Sequence, residues 1–230
     1  MGCLYARSAM DKVTYWGIGV CHLCGQDNNS IAKEDWYLCS RCGTQFRSLV
    51  SPLFYSKVTE SKDEFNSRIC SPIRIAEINE IIRRLGNTEG KSIIDVGCGM
   101  GWVSELLYGQ GGFGRVCSTD LPNRHIQIEN DNIEIFYDNF ETNGIPDKYK
   151  GQFDYCLVYD VIEHVKYPKK WFNTLRPLLK EGGAIFGSYI VPRESLPASE
   201  WRFSTREGIK NIIEGFQVIT IDNGRFHLKI

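Results

Sequence analysis

Behind Ser71-Pro72, apolar residues recur at Ile75, Ile78, Ile82 and Leu85 before Gly86 interrupts the pattern. A serine N-cap, a first-turn proline and this spacing predict a helix over 72–85. After it the period changes. Short apolar runs bounded by Gly, Asp or Pro occupy Ser92–Val96, Arg115–Thr119, Ile133–Tyr137, Phe153–Tyr159, Ala184–Tyr189, Phe216–Ile221 and Arg225–Ile230, and they are predicted as seven strands. Helical patterns over Trp102–Tyr108, Pro168–Leu175 and Thr205–Ile213 fall between several of them. This alternation predicts an α/β fold with a doubly wound, mostly parallel seven-stranded sheet. Ser204 followed by Glu207 reads as a capping box for the last helix. Asp222-Asn223-Gly224 is a tight-turn sequence, so the last two strands should form an antiparallel hairpin. Residues 121–132, with Pro122 and little periodicity, predict a short or absent helix between the second and third strands.

Before residue 61 the pattern is carried by cysteines. Cys21-His22-Leu23-Cys24-Gly25 and Cys39-Ser40-Arg41-Cys42-Gly43 are two C-x-x-C-G units separated by residues that include Ser30-Ile31-Ala32 and Trp36-Tyr37-Leu38, short enough to pair as strands. Each unit turns two thiolates inward, and two such units complete a tetrahedral four-sulfur site that suits structural zinc. A closed site of this kind leaves no position for activated water. The alternative is four ordinary buried cysteines. Cys98, Cys117 and Cys156 lie in apolar, strand-like surroundings and are expected to pack in the core. The chain should therefore divide into a zinc-ribbon-like region at 1–60 and a larger domain at 61–230, each with its own core.

Composition narrows the field. The 230 residues are 42% hydrophobic and 24% charged, which excludes disordered, collagen-like and coiled-coil classes. Lys+Arg (27) and Asp+Glu (28) give a net charge of −1, so no global field draws the chain to nucleic acid or anionic membranes. Within residues 1–60, six basic side chains face five acidic ones. No apolar run approaches the roughly 20 residues of a membrane span. Nine cysteines, an odd number, and a start without signal-peptide character point to a reducing, cytoplasmic location.

The chemistry concentrates at Asp95-Val96-Gly97-Cys98-Gly99-Met100-Gly101-Trp102, a strand that runs into a G-x-G-x-G turn and then a helix. Such a turn lets backbone approach a ligand, while the helix start offers unpaired amides. Asp120, at the end of the next strand, suits the two hydroxyls of a ribose. A dinucleotide fingerprint would place its third glycine one residue later. Asp95 beside the glycines suits a cationic amino acid better than a pyrophosphate. A cosubstrate with both ribose and ammonium is S-adenosylmethionine.

With these motifs the sequence resembles the class I S-adenosylmethionine-dependent methyltransferases over roughly residues 71–230. Asp95 to Gly101 is similar to that family's first motif, and Asp120 to its ribose-binding acid. Phe153-Asp154-Tyr155 through Asp160-Val161-Ile162-Glu163-His164-Val165 resembles its fourth-strand motif, and Leu179 to Gly183 the turn before its fifth strand. The resemblance implies a Rossmann-like fold and a cosubstrate site built from Asp95, Gly97, Cys98, Gly99, Gly101, Asp120 and Leu121. It adds Asp138 at the adenine amine, with Asn139 and Phe140 beside it. The whole chain also resembles a subgroup with an N-terminal zinc-binding region that acts on sugars and other metabolites.

Methyl transfer needs alignment of the nucleophile, exclusion of water and, for many acceptors, a base. His164, beyond the fourth strand, is the candidate catalytic base. A hydrogen bond that fixes its loop is the competing role. Asp160 is expected to position substrate or the methionine amine, or to cap the following turn. Ile190 to Phe203, with Arg193, Glu194, Trp201 and Arg202, is long for a connection and is expected to cover substrate together with Tyr55. The expected partner is a small-molecule or saccharide acceptor, methylated on oxygen. An RNA methyltransferase gripping substrate with the ribbon, and a silent S-adenosylmethionine-binding scaffold, are the competing functions.

Overall fold

The computed structural model describes residues 14–15, 21, 23–24, 26, 30–33, 36–47, 49–50, 61–122, 124–165, 167–191 and 202–230. Its first strands are β1 (Thr14–Tyr15), β2 (Ser30–Lys33), β3 (Trp36–Leu38), β4 (Gln45–Arg47) and β5 (Leu49–Val50). The expected β2–β3 pairing is present, and β4 adds an antiparallel neighbour to β3. Phe46 on β4 is fully buried and stacks on Tyr37 at 5.6 Å. Tyr55 and residues 192–201, including Arg193, Glu194 and Trp201, lie outside the described residues, so their expected cover over substrate does too.

α1 (Lys62–Ile69) is a helix that the periodicity missed. Its signal was Ser61-Lys62-Asp63-Glu64, a true capping box: Glu64 N donates to Ser61 Oγ at 3.2 Å, and Ser61 N donates to Glu64 Oε2 at 2.8 Å. One buried side chain, Phe65, was too little to make an apolar stripe. α2 (Pro72–Leu85) has the predicted bounds and buries Ile78, Ile81 and Leu85, although Ser71 caps it without a side-chain bond.

The large sheet is built from β6 (Ser92–Val96), β7 (Arg115–Asp120), β8 (Ile133–Tyr137), β9 (Phe153–Val158), β10 (Leu179–Ser188), β12 (Gln217–Asp222) and β13 (Arg225–Lys229). Their spatial order is β12-β13-β10-β9-β6-β7-β8. Neighbours from β10 to β8 are parallel, and β13 runs antiparallel on both sides. The doubly wound sheet with a C-terminal antiparallel hairpin is therefore borne out. Asn223 (φ 42°) and Gly224 (φ 76°) make that hairpin's turn, both in the left-handed region that a two-residue turn of this hand requires.

α3 (Trp102–Gln110) links β6 to β7, and α4 (Pro168–Leu175) precedes β10. Among the described residues of 121–132 there is no helix, as predicted. Ile135 and Tyr137 of β8 stay exposed as a result.

α5 is shorter than expected, Arg206–Lys210, and its cap is Thr205 rather than Ser204. Gly208 N donates to Thr205 Oγ1 at 3.0 Å, while Ser204 is buried and gives its amide to Ile190 O at 2.7 Å. The predicted capping box fails because Ser204 is drawn inward by this tertiary bond. Ile212 and Ile213, read as helical, are buried beyond the helix end.

Apolar side chains of α1, α2 and α3 cover one face of the sheet, with Ile93, Leu107 and Val116 at its centre. On the other face Phe172, Ile185 and Phe226 form a second core, and Cys21, Leu23, Cys39, Cys42 and Phe46 belong to it. The expectation that the ribbon has a core of its own is thus overturned. The cause is β11 (Arg202–Phe203), which pairs antiparallel with β4 and carries the ribbon onto the main body.

The amino end of the sheet is held by one carboxylate. Asp154 Oδ2 accepts from Ser92 N (2.9 Å), Ser92 Oγ (2.7 Å) and Lys180 Nζ (2.7 Å), joining β6, β9 and β10. Burial alone would raise its pKa, but these donors outweigh burial and hold it well below the ordinary carboxylate range. A depressed folded-state pKa stabilises above the unfolded value and loses that effect as pH falls through the folded value. Asp154→Asn should cost about 1.5–3 kcal/mol at neutral pH, measured by urea denaturation, and the difference from wild type should shrink under strong acid.

Candidate functional site

β6 ends in three glycines with positive φ: Gly97 (75°), Gly99 (59°) and Gly101 (95°). Gly97 N and Cys98 N donate to Thr119 O at 2.8 and 3.1 Å, which ties the turn to the end of β7. Two of the glycines are there for close packing. A Cβ on Gly97 would meet Val161 Cγ2 at 2.6 Å, and one on Gly101 would meet Ile128 Cγ1 at 2.3 Å. At Gly99 a Cβ would meet nothing within 4 Å, so the middle of the turn opens onto free space.

Asp120 closes the turn from the neighbouring strand. Its carboxylate accepts from Gly99 N at 2.6 Å and Leu121 N at 2.7 Å, with Arg124 Nε 3.9 Å away. Burial raises its pKa against the opposing pull of these donors. Asp95 is 1% exposed and accepts from Ser104 Oγ at 2.7 Å, which braces the first turns of α3. Burial pushes its pKa up to about 7, the Ser104 bond opposes this, and the charge of Asp120 adds to it.

Asp138 N donates to Asp120 O at 3.0 Å, so the end of β8 stands beside the end of β7. The Asp138 side chain accepts from Asn139 N (2.7 Å) and Asn143 Nδ2 (2.8 Å), and Asn139 Oδ1 accepts from Glu141 N (3.1 Å). These are loop-fixing bonds. Phe140, next in chain to Asn139, is 5% exposed and lies in the core 6.0 Å from Phe136. It belongs to the same apolar cluster as Tyr149 and Phe153.

Asp160 follows β9 with φ 53°, a conformation that costs a non-glycine residue energy and concentrates at functional sites. It is held by Ser188 at the end of β10: Asp160 N donates to Ser188 Oγ at 2.6 Å, and that hydroxyl donates to Asp160 Oδ1 at 2.8 Å. His164 is partly buried in a 3₁₀ turn, Ile162–His164, and its amide donates to Val161 O at 2.9 Å. Glu163 is buried beside it. The carboxyl ends of β6, β7, β8, β9 and β10 thus converge, with the strand order reversing between β6 and β9.

Sequence reasoning missed a group on this same rim. Arg74 pairs with Glu77 at 2.8 Å and lies 5.4 Å from the Trp102 ring, while Tyr159 OH donates to Glu77 Oε2 at 3.1 Å. Arg74 sits in the first turn of a helix whose apolar stripe was read, but nothing in the stripe marks its charged residues.

The cysteine units form a second, separate cluster. The four sulfurs of Cys21, Cys24, Cys39 and Cys42 all lie within 4.8 Å of one another, with Cys21 and Cys42 at 3.7 Å and Cys24 and Cys39 at 3.4 Å. Four sulfurs around a zinc–sulfur bond of about 2.3 Å would stand about 3.8 Å apart. Cys21 N donates to Gln26 O at 2.8 Å, Gly43 N to Cys39 O at 2.9 Å, and Cys42 N to Cys39 Sγ at 3.5 Å. The hydrogen bond with Cys21 draws the Cys42 thiol down to about 5 while pushing Cys21 up. Burial raises Cys24 to about 11. Without a cation the tetrad resists carrying four thiolates. Cys98, Cys117 and Cys156 are buried, as expected, and Cys70 is exposed.

A glycine turn and an acid at the switch point of a parallel sheet define an α/β protein with a nucleotide-type cosubstrate site. The chain belongs to the methyltransferase domain family, whose model matches residues 72–220. The ubiquinone biosynthesis O-methyltransferase of Nitrosococcus oceani is 31% identical over 125 residues, which cover 52% of this chain and 50% of that protein. The chain spans about half the length of the curated relatives it matches. Among solved structures, Haemonchus contortus phosphoethanolamine N-methyltransferase 2 in complex with S-adenosyl-L-methionine superposes with a TM-score of 0.59 at 20% identity, covering 77% of this chain and 48% of that one. The 4+2 cyclase SpnF superposes at 0.55 with 14% identity, covering 66% and 60%. These two likenesses concern the fold alone. The resemblance to class I methyltransferases is borne out.

Gly101→Ala places a methyl against Ile128 in a backbone conformation that L residues avoid. It should lower stability by about 1–3 kcal/mol in chemical denaturation, and hydrogen exchange should rise first in residues 124–130, which rest on the turn.

Proposed function

We propose that the chain is an S-adenosylmethionine-dependent methyltransferase whose acceptor is a small molecule or a saccharide, methylated on oxygen. The observation that carries this reading is the open space at Gly99 with the Asp120 carboxylate directly beside it. The O-methyltransferase relatives support oxygen as the target. The near-neutral net charge supports a small acceptor over RNA. SpnF is the reason to test turnover as well as binding, because one fold hosts several chemistries.

In this reading Gly97, Cys98, Gly99 and Gly101 bring backbone to the cosubstrate, and Asp120 with Leu121 takes the ribose. Asp138 and Asn139 line the adenine end, and Arg74 offers a guanidinium to the amino-acid carboxylate. Asp95 is sealed from solvent and already holds Ser104, so it acts on a cation through its charge. S-adenosylmethionine supplies an electrophilic methyl on its sulfonium. His164 takes the acceptor proton, and Asp160 helps hold the acceptor.

The four cysteines would hold zinc as a closed, structural site, consistent with the sulfur spacing. We divide the chain at residues 60 and 61 into this ribbon and the catalytic region. Among the described residues no helix is long and apolar enough to cross a membrane. The free thiols among them suit a reducing, cytoplasmic location.

Three measurements test the proposal. Asp120→Ala should weaken S-adenosylmethionine binding by about 1.5–3 kcal/mol in calorimetry, and equal affinity would reject the assignment. A cation arriving near Asp95 should favour its ionised form. Binding at pH 7 should then release up to roughly half a proton, read from calorimetry in buffers of different ionisation enthalpy, and Asp95→Asn should abolish the release. His164→Asn should slow formation of S-adenosylhomocysteine by about 10²–10⁴-fold with binding retained. Normal turnover in that variant would make His164 structural.

A further inference from the structure

The cysteine ribbon is expected to be an appendage, yet its contacts lead to the rim that bears His164. β4 pairs with β11 at Phe46↔Arg202 and Gln45↔Phe203, and this makes one four-stranded sheet of ribbon and catalytic region. β11 in turn lies against the Ile162–His164 turn. Two residues beyond β11, the Thr205 hydroxyl bonds in two directions. It donates to the carbonyl of Cys42, a tetrad residue, and accepts from Gly208 N at 3.0 Å as the cap of α5. The approach is close enough that a Cβ on Gly208 would stand 2.5 Å from Thr44 Oγ1 and 2.8 Å from Leu23 Cδ1. Ser204 N, next in chain to Thr205, donates to Ile190 O at 2.7 Å, just beyond β10. A path therefore runs from Cys42 through the Thr205 hydrogen bond and along the chain into β11, whose backbone passes close to the His164 turn. The cosubstrate turn makes its hydrogen bonds to Thr119 and Asp120, on β7, and meets the His164 turn through the packing of Val161 at Gly97.

We infer that Thr205 is a positioning residue that locks the cysteine ribbon to the acceptor side of the site, so that the ribbon orders the turn carrying His164, while the cosubstrate turn keeps its own hydrogen bonds to β7. The term acceptor side rests on the methyltransferase reading; the coupling itself rests on the contacts. Acceptor binding and proton removal then depend on an intact tetrad, whereas cosubstrate binding does not. The consequence for substrate class is that the ribbon's inner face is spent on the protein's own β11 and α5. A large polymer gripped there would have to displace them.

The test is hydrogen exchange read by mass spectrometry on the full chain, with S-adenosylmethionine affinity measured in parallel by calorimetry. Thr205→Val keeps the side-chain shape and removes both hydroxyl bonds. It should speed exchange in peptides covering 162–165 and 202–209 by roughly five- to hundredfold, the effect of losing two hydrogen bonds. Peptides covering 92–107 should keep wild-type protection, and cosubstrate affinity should stay within about twofold. Thr205→Ser should restore the wild-type pattern. Stripping wild type with graded zinc chelator should reproduce the Thr205→Val pattern, and this arm decides the matter if that variant does not fold. Unchanged exchange at 162–165, or equal loss at 162–165 and 92–107, would overturn the inference. A wild type that fails to bind S-adenosylmethionine would remove the methyltransferase reading while leaving the exchange pattern to judge the coupling separately.

Discussion

The junction between β6 and β7 sets the terms for everything above it. Two successive amides, Gly97 N and Cys98 N, share the Thr119 carbonyl, and Gly99 N takes the Asp120 carboxylate. Backbone can fold back this tightly only where φ is positive, and side chains are excluded where Val161 and Ile128 press in. The glycines therefore serve the packing of the protein at two positions and the approach of a ligand at the third. The same turn starts α3, whose Ser104 holds Asp95, so the acid before the turn and the helix after it stabilise each other.

Charge is arranged in opposite ways at the two ends of the parallel strands. At the amino end Asp154 is surrounded by Ser92 and Lys180 and favours ionisation. At the carboxyl end Asp95 is buried and Asp120 half-buried near it, and loss of hydration disfavours ionisation of both. The first arrangement stabilises the fold. The second stores unfavourable electrostatics at the rim, which a cationic ligand would relieve.

The ribbon shows how a small element acquires a place in a larger core. Three short strands and two cysteine turns bury too little to stand alone without a metal or a neighbour. Here β11 and α5 supply a neighbour, and Phe46 and the buried cysteines join the main apolar cluster. Stability of the ribbon and the placement of β11 ahead of α5 are thereby linked.

The order of elements, the helix over 72–85, the glycine turn, the acid after the second strand and the C-terminal hairpin were legible in the sequence, because each rests on local rules of period, capping and backbone freedom. The pairing of the cysteine units was legible for the same reason. Tertiary structure alone decided that Thr205 rather than Ser204 caps α5, that Phe140 turns into the core, that Arg74 lies over Trp102, and that β4 finds β11 across more than 150 residues of chain. Each of these depends on which surfaces meet after the sheet has closed, and a contact between distant segments leaves no periodicity in either of them.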